Sequence, residues 1–319
     1  MHPVPLALPP LLTHGRVALI DDSPDFVFTL ETLLDGGEYR LASFTDPDPL
    51  HAFLDARAHL LREEQALLSG LWRAQREMLG TVACDALRFF ARPQRLEVPL
   101  VLVSDYAMPL ETGLSVCARH RYLGFERILL TGVADTEAAV SAFNAGLIEQ
   151  YVRKQSRSVA EDVAAALRGR LLASAERRGA QLAMAYAADF ADAFRRPEVA
   201  AEMQKLLTAR DVREYMVLGN PQGILAVTSA GEALWIQVET TASLEALDDL
   251  LQLADVGTEA RRRVAQQQTL IASDFMQQAG LPATEAAALV LSSAPLVVAA
   301  VHGLSVPDEL LPACPRVGS

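Results

Sequence analysis

The sequence predicts an α/β protein with a doubly wound, five-stranded parallel sheet, a helical insertion, a helical linker and a smaller C-terminal α+β domain. Two observations carry this prediction. Short apolar runs alternate with amphipathic segments between Arg16 and Lys154, whereas three β-type runs follow one another after residue 210. The length of 319 residues is enough for about two domains, so one domain of each kind is the expected organisation.

The first half of the chain alternates strands and helices. The strand-like runs are "RVALID", "YRLASF", "PLVLVSD", "RILLTG" and "IEQYVRK", and the helical segments are "DFVFTLETLLDGG", "GLSVCARHRYLG" and "DTEAAVSAFNAG". Such alternation favours parallel strands joined by crossover helices. Because the carboxyl ends of parallel strands share one edge of the sheet, we expect the functional residues of this domain at that edge.

An insertion interrupts this pattern at residues 49–98, where a βα connection normally needs only one short helix. Its apolar residues recur every three or four positions, as on helices with one apolar face: Leu60, Leu61, Leu67, Leu68, Leu71, Trp72, Met78, Leu79 and Val82. Two interpretations are equally supported. The insertion packs on its own domain, or it forms a surface for dimerisation or for a partner.

The second half begins with a helical linker, residues 159–209, which leads to an α+β domain at residues 210–319. The runs "EYMVLG", "GILAVTS" and "ALWIQVE" predict antiparallel strands, and helices are predicted at 243–255 and 258–279. The uncharged segment 286–307 is expected to form a helix, a turn at "SSAP" and a strand in a soluble core rather than a membrane span. In outline this domain is similar to a PAS-like sensory fold, a similarity of shape alone.

Composition excludes several classes of function. With 28 Lys and Arg against 40 Asp and Glu, the formal charge of −12 opposes binding to nucleic acid and to anionic lipid. The three cysteines, Cys84, Cys117 and Cys314, are far apart and predict reduced thiols in a cytoplasmic protein. Residues 1–15 are proline-rich and lack the basic start of a signal peptide, so we expect a flexible leader.

Five functional side chains follow predicted strands. Asp21 and Asp22 end the first strand, Asp105 the third, Thr131 the fourth and Lys154 the fifth. Carboxylates that converge at one sheet edge raise one another's pKa or bind a cation, and Mg²⁺ suits two or three carboxylates. A nucleophilic carboxylate, a metal, a hydroxyl and an ammonium are the groups needed to transfer a phosphoryl group to an aspartate, which would be Asp105.

Residues 16–158 resemble the receiver domain of bacterial two-component response regulators, a flavodoxin-like fold. The matching motifs are "LIDDSPDF", "LVSDYAMPLETGL", "LLTGVAD" and "YVRKQ". The resemblance implies that Asp105 accepts phosphate from a sensor histidine kinase or a phosphotransfer protein. It also implies that Mg²⁺ is held by Asp21, Asp22, Asp105 and the carbonyl of Ala107.

The resemblance further implies that Thr131 and Lys154 contact the phosphoryl oxygens, and that Tyr151 is the aromatic switch that turns inward when Thr131 moves. Three residues depart from the family pattern at the site. Gln155 stands where a proline usually follows the lysine, and Ala107, like Val133, offers no polar group to orient an attacking water. We therefore expect a long-lived phosphoryl state and, beyond slow autodephosphorylation, no enzymatic activity of the receiver domain.

Two rival interpretations concern activity and output. A dehalogenase-type phosphatase would need a second acid two positions after Asp21, where this chain has Ser23. A DNA-binding output is not expected either, because residues 197–319 hold 7 Lys or Arg against 15 Asp or Glu. The output is then regulation of a still unidentified protein partner or of a homodimer. The alternative is a ligand-binding or enzymatic module, with Trp235, Tyr215 and His302 as pocket candidates.

Overall fold

The computed structural model describes residues 8–34, 39–132 and 136–305. Within these ranges the chain forms two compact units. The parallel unit consists of residues from 14–65 and 94–177, and the antiparallel unit consists of residues 8–13, 66–93 and 178–305. The predicted Val133 and Cys314 lie outside the described residues.

The elements are as follows. The strands are β1 (Leu11–Leu12), β2 (Arg16–Ile20), β3 (Arg40–Phe44), β4 (Pro99–Asp105), β5 (Glu126–Thr131), β6 (Gln150–Arg153), β7 (Val212–Gly219), β8 (Gln222–Thr228), β9 (Ala233–Thr240), β10 (Thr269–Ala272), β11 (Thr284–Ser293) and β12 (Leu296–Leu304). The helices are α1 (Pro24–Leu34), α2 (Pro47–Arg76), α3 (Val82–Ala91), α4 (Gly113–Arg119), α5 (Thr136–Asn144), α6 (Val159–Ala183), α7 (Ala188–Arg195), α8 (Pro197–Ala209), α9 (Thr241–Leu253), α10 (Thr258–Ala265) and α11 (Asp274–Gln278), with short 3₁₀ turns at Pro93–Glu97 and Arg121–Leu123.

The parallel unit is built on a five-stranded sheet of order β3-β2-β4-β5-β6, and every neighbouring pair is parallel. This confirms the predicted doubly wound, flavodoxin-like sheet. Strand β4 is buried along its whole length because both faces of a central parallel strand are covered, which explains its continuous apolar run. That burial fixes the position of Asp105 at the strand's carboxyl end.

The antiparallel unit is built on a seven-stranded sheet of order β1-β7-β8-β9-β12-β11-β10. It confirms the prediction of a second, α+β domain. Strand β9 is buried on both faces. Its Leu234, Ile236 and Val238 pack into one apolar core, while Trp235 packs into another on the opposite face of the sheet.

The predicted leader differs from the structure over its described part. Leu11 and Leu12 pair with Met216 and Tyr215 of β7, and the side chain of Leu11 is completely buried. Pairing with the edge of this sheet stabilises the short apolar segment, because it satisfies backbone hydrogen bonds and removes apolar side chains from water. Residues 1–7 lie outside the described residues.

The insertion at 49–98 folds as most of α2, α3 and the 3₁₀ turn that follows. Leu60 packs into the core of the parallel unit, whereas Leu68, Leu71 and Val82 pack into the core of the antiparallel unit. The second half of the insertion thus covers the other unit's sheet, an outcome that neither interpretation of the sequence included. Helices α2 and α6 each contribute residues to both units. Dimerisation through the insertion stays a prediction.

The predicted linker and C-terminal segments also differ. Helices α7 and α8, within the predicted linker 159–209, pack with Phe190, Phe194, Val199 and Met203 into the core of the antiparallel unit. The helix predicted at 258–279 is α10, β10 and α11, and the helix predicted before "SSAP" is β11. Ala-rich β11 is extended because it pairs with β10 and β12, a tertiary effect that overrides local propensity.

Two further features of the structure concern the membrane and the cysteines. Among the described residues, no helix has both the length and the apolar character that crossing a bilayer requires. Cys84 and Cys117 are free thiols, and burial raises the pKa of Cys117 to about 12, which makes that thiol unreactive.

His302 makes the stability of the antiparallel unit sensitive to pH. It is 2 % exposed, its Nδ1 lies 2.9 Å from Thr284 Oγ1, and burial lowers its pKa from 6.5 to about 4. Between these two pKa values the unfolded chain binds a proton that the folded chain does not, so stability falls with falling pH. We expect a loss of about 2 kcal/mol between about pH 7 and pH 5.

The measurement is urea unfolding at both pH values. His302→Gln should remove most of this loss, whereas His59→Gln, at an exposed position of α2, should behave as wild type. An equal pH dependence in wild type and in His302→Gln would contradict the assignment.

Candidate functional site

The carboxyl edge of the parallel sheet brings the five predicted side chains together. Asp105 is the last residue of β4 and Thr131 the last of β5, while Asp21 follows β2 and Lys154 follows β6. Asp21, Asp105 and Thr131 are at most 3 % exposed, and Asp22 is exposed. Parallel pairing of β2, β4, β5 and β6 therefore places residues from four separate sequence motifs in one site.

Lys154 is the centre of the charge arrangement. Its Nζ lies 2.6 Å from Asp21 Oδ2 and 2.8 Å from Asp105 Oδ2. Burial alone would lower the pKa of Lys154, but its hydrogen bonds to Asp105 and Asp21 outweigh burial and raise that pKa. The ammonium is thus held charged between two buried carboxylates.

The surroundings of Asp105 disfavour the ionised form of its carboxyl group. Burial raises its pKa, the hydrogen bond and the charge of Lys154 lower it, and the charges of Asp21 and Asp22 raise it again, with a raised pKa as the result. One ammonium does not balance three carboxylates. The site therefore has a deficit of positive charge.

This deficit fits a divalent cation. One oxygen from each of Asp21, Asp22 and Asp105 lies within 4.8 Å of the other two, and all three are hard oxygen donors of the kind that Mg²⁺ prefers. Asp21 is oriented by a hydrogen bond that its Oδ1 accepts from the N–H of Ser23, at 3.1 Å. These residues are therefore suited to Mg²⁺, and the magnesium site expected from the sequence stays a prediction.

The loop after β4 is tightly packed against the strand end. The N–H of Gly113 donates to the carbonyl of Tyr106, and Thr112 caps helix α4 by accepting from the N–H of Ser115. Met108 is buried in the apolar core below, whereas Ala107 is exposed. Gly113 is close enough to β4 that a Cβ there would lie 2.1 Å from the carbonyl oxygen of Asp105.

Thr131 and Tyr151, the residues expected to form a switch, lie on the neighbouring strands β5 and β6. The Oγ1 of Thr131 is buried and has no hydrogen-bond partner among the described residues. Tyr151 lies opposite Leu129 in the β5–β6 register and is partly buried against the apolar core. A buried hydroxyl without a partner is unfavourable, so Thr131 is available to an oxygen ligand at this edge.

The scarcity of lysine is a feature of the sequence that would also have pointed to Lys154. The chain contains only two lysines, Lys154 and Lys205, among its 28 basic residues. All other basic positions are arginine, so the lysine at the site is unusual for this composition. A compact ammonium can lie between two carboxylates, whereas the planar guanidinium of arginine favours bidentate pairing.

Comparison with known proteins gives fold similarity alone. No protein-family model matches the chain, and no curated protein matches it. Among solved structures, the response regulator LqsR of Legionella pneumophila matches with a TM-score of 0.70 over 97 % of this chain and 94 % of that chain, at 18 % identity.

Two solved receiver domains match about half of this chain. One, from an HD domain-containing protein of Pseudomonas fluorescens Pf-5, has a TM-score of 0.36, 22 % identity and coverage of 51 % and 91 %. The other, the BeF3-activated receiver domain of DrrB, has a TM-score of 0.33, 19 % identity and coverage of 50 % and 98 %. Such low scores support no argument of their own. The match to LqsR spans both units, so the chain has the fold of a response regulator, and the predicted resemblance is confirmed at that level.

Proposed function

We propose that this protein is a bacterial, cytoplasmic response regulator of a two-component phosphorelay. Asp105 accepts a phosphoryl group from a sensor histidine kinase or a phosphotransfer protein. The observation that carries this proposal is the position of Lys154 between Asp21 and Asp105, at the same sheet edge as the Thr131 hydroxyl, which has no hydrogen-bond partner among the described residues. These groups leave one carboxylate oxygen as nucleophile and supply donors around it.

The transfer follows from the roles of the side chains. Lys154 holds Oδ2 of Asp105, so Oδ1 is the oxygen that attacks phosphorus. The new O–P bond forms as the bond from phosphorus to the donor's histidine nitrogen breaks, and that nitrogen keeps the electron pair. Lys154 and Thr131 then donate to the phosphoryl oxygens. Asp21, Asp22, Asp105 and the carbonyl of Ala107 would hold Mg²⁺, which when bound neutralises charge on the phosphoryl oxygens.

The proposed consequence is a change in conformation around Thr131 and Tyr151. Movement of the Thr131 hydroxyl toward the phosphoryl group would vacate space for the ring of Tyr151, which lies on the neighbouring strand. The output we propose is regulation of a protein partner or of self-association. Binding to DNA is not proposed, because the C-terminal region is acidic.

The test is phosphorylation by acetyl phosphate in the presence of Mg²⁺, followed by intact-protein mass spectrometry. Wild type should gain one phosphoryl group, and chelation by EDTA should prevent this. Asp105→Asn should not be labelled, whereas Asp48→Asn, at an exposed position of α2, should react as wild type. Labelling of Asp105→Asn at the wild-type rate, or turnover of a phosphomonoester dependent on Asp21, would refute the proposal.

The phosphorylated state should be long-lived. Ala107 is exposed beside Asp105 and has no polar side chain to orient a water for hydrolysis. We expect the label on purified protein to persist well beyond minutes. Ala107→Asn should shorten this lifetime by on the order of tenfold, the effect of about one hydrogen bond to the attacking water. Quantitative Phos-tag electrophoresis over time measures both, and loss of the wild-type label within minutes would contradict the expectation.

A further inference from the structure

The antiparallel unit contains a cavity of about 500 Å³ that none of the roles described above uses. It is lined by residues of α2, β9, α9 and α11 together with the segments 184–187 and 219–222, all within that unit. Trp235, which the sequence suggested for a pocket, lies on its wall, stacked on Phe275 with ring centroids 4.0 Å apart. Tyr215 and His302 do not line it.

The floor of the cavity is polar although it is buried. Gln75, Gln237 and Glu239 line it and are 2 %, 4 % and 7 % exposed. Gln237 and Glu239 share a face of β9 with Trp235, because strand side chains alternate. Burying an amide and a carboxyl in the middle of a sheet is costly, so a purely structural role does not explain them.

These floor groups are only partly paired. Gln237 donates from Nε2 to Glu239 Oε1 at 2.7 Å, but its Oε1 has no hydrogen-bond partner among the described residues. Gln75 Oε1 accepts from the N–H of Gly219 at 2.7 Å, and its Nε2 likewise has no partner there. An unpaired acceptor beside a carboxyl group is suited to a ligand that donates hydrogen bonds.

Glu239 is the buried ionisable group of the floor, whereas Asp274 and Arg76 line the cavity at exposed positions. Glu239 and Asp274 both line the cavity, and burial, followed by the charges of Asp189 and Asp274, raises the pKa of Glu239 against the opposing hydrogen bonds of Ser243 and Gln237. Arg76 lines the cavity as well and lies over the ring of Trp72. A cation at the floor would relieve the repulsion between the carboxylates.

The rim, in contrast, is apolar and exposed. Met78, Met184 and Leu250 line the cavity and are 77 %, 74 % and 49 % exposed. Methionine side chains are unbranched and adapt to ligands of different shape. Polar floor and apolar rim together match a molecule with a charged head and an apolar body.

We infer that the cavity binds an amphipathic primary amine, with its ammonium on Glu239 and Gln237 Oε1 and its apolar body against Met78, Met184 and Leu250. This site concerns the antiparallel unit alone, and the inference holds whether or not Asp105 accepts phosphate. The sequence leaves a ligand-binding module open as the alternative output. This inference specifies the chemical class of its ligand.

The test uses the full-length chain and three probes of equal length, n-octylamine, n-octanol and octanoate, with binding followed by titration calorimetry. Octylamine should bind at least about tenfold more tightly than the other two. Glu239→Gln should weaken octylamine binding by about tenfold or more, because a neutral amide replaces the carboxylate. Glu245→Gln, an exposed acid on α9 outside the cavity, should leave it unchanged.

A second variant tests the cavity at its exposed rim, because a substitution at the buried floor could reduce binding simply by disturbing the fold. Leu250→Trp adds volume at the exposed rim, where the fold tolerates it, and should reduce octylamine binding by obstructing the cavity. No binding of octylamine, equal binding of octanol and octylamine, or octylamine binding insensitive to both variants would each overturn the inference.

Discussion

Replacement of Lys154 by methionine should lower the stability of the protein and slow the phosphorylation proposed for Asp105. Methionine has nearly the length of lysine but no charge, so Asp21 and Asp105 would face each other buried and without their shared ammonium. Removing one partner from a buried ion pair typically lowers the free energy of unfolding by about 3–5 kcal/mol. Loss of one preorganised donor to the phosphoryl group should slow transfer by roughly 100-fold or more.

The sequence supplies a matched control for this experiment. Lys205→Met removes the other lysine, which is exposed on α8 and pairs with Glu202, and should change the free energy of unfolding by less than about 0.5 kcal/mol. Urea unfolding at neutral pH and the acetyl phosphate reaction measure the two effects. Lys154→Arg keeps the charge and should recover part of the stability but little of the rate. Equal stability of the Lys154→Met and Lys205→Met proteins would show that Lys154 does not neutralise the buried carboxylates.

Replacement of Gly113 by alanine should disturb the site through the backbone. The added Cβ would lie 2.1 Å from the carbonyl oxygen of Asp105, 2.7 Å from Ser104 Oγ and 2.9 Å from the carbonyl carbon of Asp105. Neither β4 nor α4 can accommodate this contact without movement of the strand end that carries Asp105. We expect the free energy of unfolding to fall by about 3 kcal/mol, the upper range for overpacking, and phosphorylation to slow.

A second helical glycine of the same unit provides the comparison. Gly169 lies in α6, and a Cβ there meets nothing within 4 Å. Gly169→Ala should stabilise the protein by up to about 1 kcal/mol through helix propensity, with no change in phosphorylation. Urea unfolding and the rate of labelling by acetyl phosphate measure both variants. If Gly113→Ala labels at the wild-type rate, the close approach of α4 to β4 does not position Asp105.

The side chains that meet at the carboxyl edge of the parallel sheet could be predicted from the sequence, because the geometry of that edge depends on few unknowns. Once five alternating strands are recognised, parallel pairing places Asp21, Asp105, Thr131 and Lys154 at the same edge whatever the packing elsewhere. The apolar run before Asp105 identified a strand buried on both faces. The distances from Lys154 Nζ to the two carboxylates then followed from rotamers, which the sequence does not show.

The antiparallel unit resisted prediction because its elements depend on distant partners. Strand β11 has the composition of a helix and becomes extended only between β10 and β12. The insertion showed an apolar face but not which surface covers it. The alternation of Trp235, Gln237 and Glu239 with apolar residues resembles a half-exposed strand, and only the sheet order reveals that both faces are buried.

The chain order of the antiparallel unit has a consequence for its biosynthesis. The sheet is closed by β12, which lies between β9 and β11 and is the last strand to leave the ribosome among the described residues. The apolar side chains of Leu68, Leu71 and Phe90 pack against residues of β7, β8 and β9, so the nascent chain carries them uncovered until those strands have been synthesised. The parallel unit, complete by residue 177, can fold earlier. The antiparallel unit cannot complete its sheet before β12, residues 296–304, has been synthesised, so translation arrest before that point should affect this unit first.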